Sequence, residues 1–268
     1  MSPGEDDPGL DLHRVRAVRG RRSAPAHLLE RIADYRDRHR GMWVAWSGGK
    51  DSTVVLDLAR RVDPDVPVVF YDCGLDFPET RTYIAELTRA WNLNLHVVPT
   101  EPDLLTLLIA AGDFDPAAPT RQVRLDVRRA MITDPAARAH ARFGPANLWG
   151  VRALESSGRM HLYRTRRRGC VVIRGNGEID RADGTTSFGP IWNWRTEQVW
   201  EYLAARKIPA NPVYAKLDRL GADVHAARVD AMIDPARLDN GHITRLAAGW
   251  PTIFDRLTEV LPRLGDYR

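Results

Sequence analysis

Residues 46–55, "WSGGKDSTVV", decide how the rest of the chain is read. They follow a short apolar run, "MWVAW" (42–46), of the kind that forms a central strand, and lead into "TVVLDLARRV", whose apolar residues recur at helical spacing. A strand that ends in a Gly-rich turn opening into a helix makes an anion site. The first backbone N–H groups of the helix have no internal partner, and the helix dipole favours negative charge there. Gly48 and Gly49 let the backbone wrap a phosphate closely, Ser47 and Ser52 add hydroxyl donors, and Lys50 supplies positive charge. Asp51 is the odd member: a carboxylate beside phosphates makes sense chiefly if it holds Mg²⁺ or caps the helix. The turn therefore suits a pyrophosphate group with a metal.

Working outward, "VPVVFY" reads as a second buried strand, "ETRTYIAELTRAW" as an amphipathic helix and "LNLHVV" as a third strand. Strand, helix, strand, helix, strand at this spacing predicts an open, mostly parallel α/β sheet flanked by helices. "HLLERIADYRDRHR" precedes it as a helix, "LLTLLIAAG" and "PAARAHARF" continue as helices, and "NLWGVR" (147–152) is a further strand end. The texture then changes. "CVVIRGNGEIDRADGTTSFGPI" carries two turn signals, GNG and ADG, between short apolar stretches, as hairpins do. "TEQVWEYLAARKI" is a helix stopped by Pro209, and "WPTIFDRLTEVLPRL" a last one. The expected division is a mobile basic arm over 1–24, a nucleotide-binding core over 25–165, and a small hairpin and helical extension over 166–268 that completes the substrate side of the crevice.

The chain has 268 residues, 44% hydrophobic and 28% charged, enough for one good-sized core. Its formal net charge is only +4, but arginines crowd the middle third: Arg121, Arg124, Arg128, Arg129, Arg164, Arg166, Arg167 and Arg168. Such a segment suits a polyanionic partner, and "RTRRRG" reads equally as a solvated basic loop. The two cysteines, Cys73 and Cys170, have no CxxC or Cys/His companion, so no zinc site or four-cysteine iron–sulfur cluster can be assembled from this chain. With no apolar h-region and no run long enough to span a bilayer, the expectation is a cytoplasmic protein without membrane contact.

The quoted turn lacks the spacing of the P-loop and of dinucleotide-binding folds. It resembles the PP-loop signature, SGGxDS, of the ATP pyrophosphatases, which split ATP between its α and β phosphates, adenylate a substrate oxygen and release pyrophosphate. Three further stretches resemble the phosphoadenylyl-sulfate (PAPS) reductase family. "FYDCGLDFPET" (70–80) is similar to its DTGxxFPET segment, with Cys73 where threonine is usual. "WGVRALES" (149–156) is similar to its GxRxxES segment, and "GPIWNWRTEQVWEYLAARKIPANPVY" to a segment ending in NPxY. These matches span about 43–214. They imply the adenine nucleotide alpha hydrolase-like fold, with ATP held by Ser47, Gly48, Gly49, Lys50, Asp51, Ser52, Asp72 and Gly150. Lys50, Asp51 and Arg152 are the candidate catalytic residues, and Asp51 the candidate Mg²⁺ ligand. Cys73, Glu155, Arg164, Arg166 and Arg168 would lie on the substrate side. Trp194, Trp200 and Tyr202 read as core and lid packing rather than base-stacking surfaces.

The reductases of this family attack sulfur with a cysteine near the C-terminus, whereas nothing after Cys170 here is a cysteine, and the PP-loop they typically carry in degraded form is intact. That combination resembles the branch that activates an oxygen with ATP and receives sulfur from a partner, including the ATP-pyrophosphatase subunits of DNA phosphorothioation systems. The partners so implied are DNA, a cysteine desulfurase or other sulfur donor, and a partner ATPase, with self-association left open. The alternatives are a reductase-like enzyme, a small-molecule adenylyltransferase acting on sulfate or FMN, and a binding subunit that uses ATP only to assemble a complex. Cys73 has two readings: a thiol of lowered pKa that accepts sulfur, or a small buried residue filling threonine's space.

Overall fold

The structure, a computed structural model, describes residues 26–39, 41–117, 126–164, 167–168, 171–173, 176–223, 227–229, 231–235 and 238–268. The expected arm over 1–24 lies outside them.

Helix α1 (Ala26–Arg38) precedes strand β1 (Met42–Ala45), the pivot of the sheet. Met42, Trp43 and Val44 are buried, as expected of a strand hydrogen-bonded on both sides. The chain leaves β1 through α2 (Lys50–Val62), β2 (Val68–Asp72), α3 (Pro78–Trp91) and β3 (Leu95–Pro99), each strand parallel to the one before. It then passes through α4 (Leu104–Ala111) and α5 (Asp134–Phe143) to place β4 (Ala146–Leu148) on the opposite side of β1. Strand order thus reverses between β1 and β4. In open α/β sheets such a switch point opens a crevice beyond the carboxyl ends of the strands, which is where ligands bind. Both the 46–55 turn and Gly150 sit at that edge.

After α6 (Ser157–Arg164), β5 (Arg167–Arg168), β6 (Val171–Ile173), β7 (Glu178–Asp180) and β8 (Thr186–Phe188) form an antiparallel series. The ADG signal is the β7–β8 turn: Gly184 takes φ +83°, and Asp183 accepts the Thr185 N–H at 2.9 Å. The hairpin segment joins the core directly: β8 pairs parallel with β4 and makes one sheet in the order β3-β2-β1-β4-β8-β7-β6-β5.

The C-terminal helices α7 (Thr196–Ala205), α8 (Pro212–Arg219), α9 (Ile243–Gly249) and α10 (Pro251–Val260) share the core of the first half. Trp46, Val54 and Leu56 belong to the same buried cluster as Trp200, Val213, Leu217 and Phe254. Helix α7 ends before Pro209 is reached: Arg206 caps it and Lys207 takes φ +55°. On the other face of the sheet, Trp43 and Val69 pack with Ala139 of α5. No helix among the described residues is long and apolar enough to cross a membrane.

Candidate active site

The turn after β1 closes on itself before it meets any other element. Gly48 adopts φ +70°, and a Cβ there would lie 3.3 Å from side-chain carbons of both Thr80 and Ile84, so conformation and space each call for glycine. Ser52 Oγ donates to the Gly49 carbonyl at 3.0 Å and accepts the Ser47 N–H at 3.3 Å. Gly49, at φ −80°, is the N-cap of α2 and brings no side-chain cap to the first-turn N–H groups. The Lys50 N–H instead donates to the Tyr214 hydroxyl at 3.0 Å.

Gly150 and Arg152 reach this turn from the end of β4. A Cβ on Gly150 would stand 2.5 Å from the Ser52 backbone nitrogen, so glycine is required for the two segments to touch. Arg152, 1% exposed, spreads its guanidinium over several partners. Nε donates to Asp51 Oδ1 at 2.6 Å, Nη1 to the Trp194 carbonyl at 3.1 Å and Nη2 to Thr196 Oγ1 at 3.2 Å. Glu155 lies behind it, accepts the Arg152 N–H at 3.1 Å, and is also engaged by Arg159 and Arg228. Burial opposes ionisation of Glu155, but Arg159 and Arg228 outweigh it and hold the carboxyl below its ordinary pKa.

Asp51 and Lys50 complete the arrangement. Asp51 Oδ2 lies 3.0 Å from Lys50 Nζ, and that ammonium, 3% exposed, faces the rings of Tyr214 and Trp200 at 5.3 and 6.0 Å. Each carboxylate oxygen of Asp51 thus faces a cation, Lys50 on one side and Arg152 on the other. Asp51 is the ionic joint between the turn and Arg152.

Asp72, at the end of β2, is committed to a paired contact with the Arg81 guanidinium, one arm at 3.1 Å, and accepts the Gly74 N–H at 2.9 Å. Cys73 is buried, and its thiol donates to Asp76 at 3.5 Å. Burial and then the Asp76 charge push that thiol up, away from the thiolate a sulfur acceptor requires. The packing reading of Cys73 is the one this geometry supports. Burial also lifts Asp76, to about 6, against the opposing pull of Arg81. Of the arginine cluster, Arg166 lies outside the described residues. Only the backbones of Arg164 and Arg168 are described, at the end of α6 and in β5.

Tyr202 and Trp200 are core residues, as expected: Tyr202 Oη donates to buried Asp57 at 2.7 Å, and Trp200 meets Tyr214 edge-on with centroids 5.2 Å apart. The clamp from 211–214 was not singled out by residue. Asn211 Nδ2 donates to the Gly48 carbonyl at 3.3 Å and to Thr80 Oγ1 at 2.9 Å, so this segment grips the turn from the side opposite Arg152. Its only signal in the sequence was the resemblance of "NPVY". Arg159 and Arg228 had none.

The profile of the phosphoadenosine phosphosulfate reductase domain matches residues 41–267, which takes in every contact just described. The chain belongs to this family. Among its relatives, the phosphoadenosine 5'-phosphosulfate reductase of Synechococcus sp. is 29% identical over 191 residues, covering 70% of this chain and 75% of that protein. An uncharacterized protein of Methanocaldococcus jannaschii is 26% identical over 222 residues, covering 82% of this chain. The match spans only 47% of that relative's length. Among solved structures, a PAPS reductase of Candida auris in its phosphate complex aligns with a TM-score of 0.49 at 18% identity, covering 76% of this chain and 96% of that one. Within the family, the chain carries an intact Ser47–Gly48–Gly49–Lys50–Asp51–Ser52 turn.

Proposed function

We propose that this chain is an ATP pyrophosphatase that cleaves ATP to AMP and pyrophosphate and adenylates an acceptor oxygen, preparing it for replacement by sulfur. The observation that carries this reading is the arrangement of the turn at the switch point. A helix N-terminus whose N-cap, Gly49, brings no side chain, two serine hydroxyls and a glycine of positive φ are held between Arg152 on one side and Asn211–Tyr214 on the other. Rigid backbone donors at a helix start suit phosphate oxygens and need no reorganisation as charge develops. Arg152, oriented by Asp51, Thr196 and the Trp194 carbonyl, is the group placed to stabilise charge at the reacting phosphate. Lys50, buried against two rings and Asp51, holds the shape of the turn.

For the acceptor we propose a nonbridging phosphate oxygen of DNA, as in phosphorothioate modification, with a sulfur donor and a partner ATPase supplied by other chains in the cytoplasm. Support comes from the arginine-rich composition of 121–181 and from Cys73, whose burial leaves sulfur delivery to a partner. The test is to incubate the protein with α-labelled ATP and, in turn, DNA, sulfate and FMN. Labelled AMP with pyrophosphate is the expected product, stimulated by DNA. ADP and orthophosphate as sole products would refute the pyrophosphatase reading, and stimulation by sulfate or FMN alone would reassign the acceptor.

A further inference from the structure

We propose that Asn211, backed by Thr80, is a positioning residue of this site: it locks the peptide between Gly48 and Gly49 with its N–H turned toward the bound phosphate. The lock is a property of the fold, and its use by a phosphate rests on the reading above.

The lock begins with an amide whose two ends cannot be exchanged. Asn211 is 2% exposed and stands at the N-cap of α8, where its Oδ1 accepts the Val213 N–H at 3.0 Å. Only the oxygen end can take that N–H, which fixes the NH2 end on the other side. There Nδ2 donates to the Gly48 carbonyl at 3.3 Å and to Thr80 Oγ1 at 2.9 Å. The Thr80 hydroxyl has one hydrogen and gives it to the Val229 carbonyl at 3.0 Å, so toward Asn211 it can only accept. Every donor in this chain of bonds has one direction, and the Gly48 carbonyl is where it ends.

A trans peptide is planar and carries its C=O and N–H on opposite sides. Holding the Gly48 carbonyl toward Asn211 therefore aims the Gly49 N–H the other way. Gly48 is buried against Thr80 and Ile84, whereas Gly49 is half-buried, so that N–H faces the open side of the turn. No acceptor among the described residues takes it. It joins the start of α2 as a backbone donor for an anion.

The two glycines are what make a lock necessary. Turning their shared peptide over carries Gly49 from φ −80° to about +100°, which glycine accepts and alanine resists. Turned over, the peptide presents its carbonyl to the phosphate and repels it. The following peptide is held independently, since the Gly49 carbonyl accepts Ser52 Oγ at 3.0 Å and the Thr53 N–H at 2.9 Å. Asn211 supplies the corresponding hold on the peptide before it.

The test combines Asn211→Ser, which keeps an oxygen for the Val213 N–H but cannot reach Gly48, with Gly49→Ala, which closes the turned-over state. The full-length proteins are titrated calorimetrically with sodium pyrophosphate, and their melting temperatures are read alongside. Asn211→Ser should bind about tenfold more weakly than wild type, the loss of one charge-assisted hydrogen bond. In the Gly49→Ala background the same substitution should cost about twofold or less, because the wrong orientation is no longer open. A residue that merely props the fold would lower affinity equally in both backgrounds. Glycine-selective amide spectra give a readout without ligand: the Gly49 resonance, identified by its loss in Gly49→Ala, should shift or split in Asn211→Ser. Thr80→Val, which leaves the Asn211 amide without its second anchor, should move that resonance in the same sense by less, and it is read alone if Asn211→Ser does not fold. An equal loss of affinity in the two backgrounds, or a Gly49 resonance that neither substitution moves, overturns the lock. If wild type binds neither pyrophosphate nor ATP, the nucleotide reading fails and the resonance alone decides the lock. If pyrophosphate binds and the resonance stays in place, the nucleotide reading stands and the lock falls.

Discussion

Replacing Arg152 with methionine removes a side chain that ties the PP-loop turn to both the end of β4 and the start of α7. The volume change is small, but three hydrogen bonds and an ion pair go with it: Asp51 at 2.6 Å, the Trp194 carbonyl at 3.1 Å, Thr196 at 3.2 Å and the Glu155 contact at 3.8 Å. Breaking a buried pair by removing one partner costs about 3–5 kcal/mol, because the other charge is left without compensation. Asp51 keeps Lys50, and Glu155 keeps Arg159 and Arg228, so the low end applies, about 3 kcal/mol. For a chain of this size each kcal/mol moves Tm by about 2–4 °C, so a fall of about 6–12 °C is expected. In urea the midpoint should drop with the slope unchanged. Arg152→Lys retains the charge but not the fork, and should recover only part of the loss. Combining Arg152→Met with Asp51→Asn should cost about 0.5–3 kcal/mol less than the sum of the two single changes, since each removes the other's partner. A loss below about 1 kcal/mol in Arg152→Met, or strict additivity in the double variant, would refute the network as described.

Gly48→Ala must hold a Cβ at φ +70° against Thr80 and Ile84, costing about 1–2 kcal/mol, whereas Gly49→Ala at φ −80° should cost less; equal melting temperatures for the two variants would remove the conformational argument. Asp76, lifted by burial from 3.8 to about 6, holds a proton in the folded chain that the unfolded chain has released, so stability falls as pH rises through that window, by about 3 kcal/mol in all. Denaturation curves taken from pH 4 to 7 should show that slope in wild type and lose it in Asp76→Asn. Cys73, buried and bonded to Asp76, should react with a thiol reagent only after unfolding in a Cys170→Ser background, and Cys73→Ser should retain activity; rapid labelling of the native protein would reinstate it as a reactive thiol.

What the sequence discloses follows the range of the interactions. The turn was legible because its chemistry is local: Gly48, Ser52 and the helix start lie within six residues, and their contacts to one another need no knowledge of the rest of the chain. The parallel strands were legible because each is a short apolar run buried on both faces. The continuity of β8 with β4 was not, since parallel pairing between 146–148 and 186–188 leaves no periodic mark and the hairpin texture of the intervening segment points to a separate unit. Arg159 and Arg228 escaped notice for a similar reason. One belongs to a helix of mixed pattern and the other to a connecting segment, and only the fold brings them to the same carboxylate. The contact of Asp51 with Arg152 is likewise set by the fold and leaves no local mark in the sequence.

The charges of this network also indicate where attraction for anions comes from. Lys50 and Arg152 meet at Asp51, and Arg159 and Arg228 meet at Glu155. They fall into two groups that differ in exposure, not in charge ratio. At the turn, Lys50 and Arg152 share Asp51, while at the far end Arg159 and Arg228 share Glu155 with little help from Arg152 beyond 3.8 Å. Lys50 and Arg152 are 3% and 1% exposed and paired with Asp51, which leaves the backbone donors and the helix dipole as the turn's main claim on a nucleotide phosphate, a short-range and direction-specific attraction. The outer arginines supply a longer-range one that salt weakens. Binding of an acceptor anion should therefore decline steeply with ionic strength, and nucleotide binding should decline less. Measuring both affinities across one salt series on the same protein checks this directly, and equal salt slopes would mean that side-chain charge, not the helix start, governs the nucleotide.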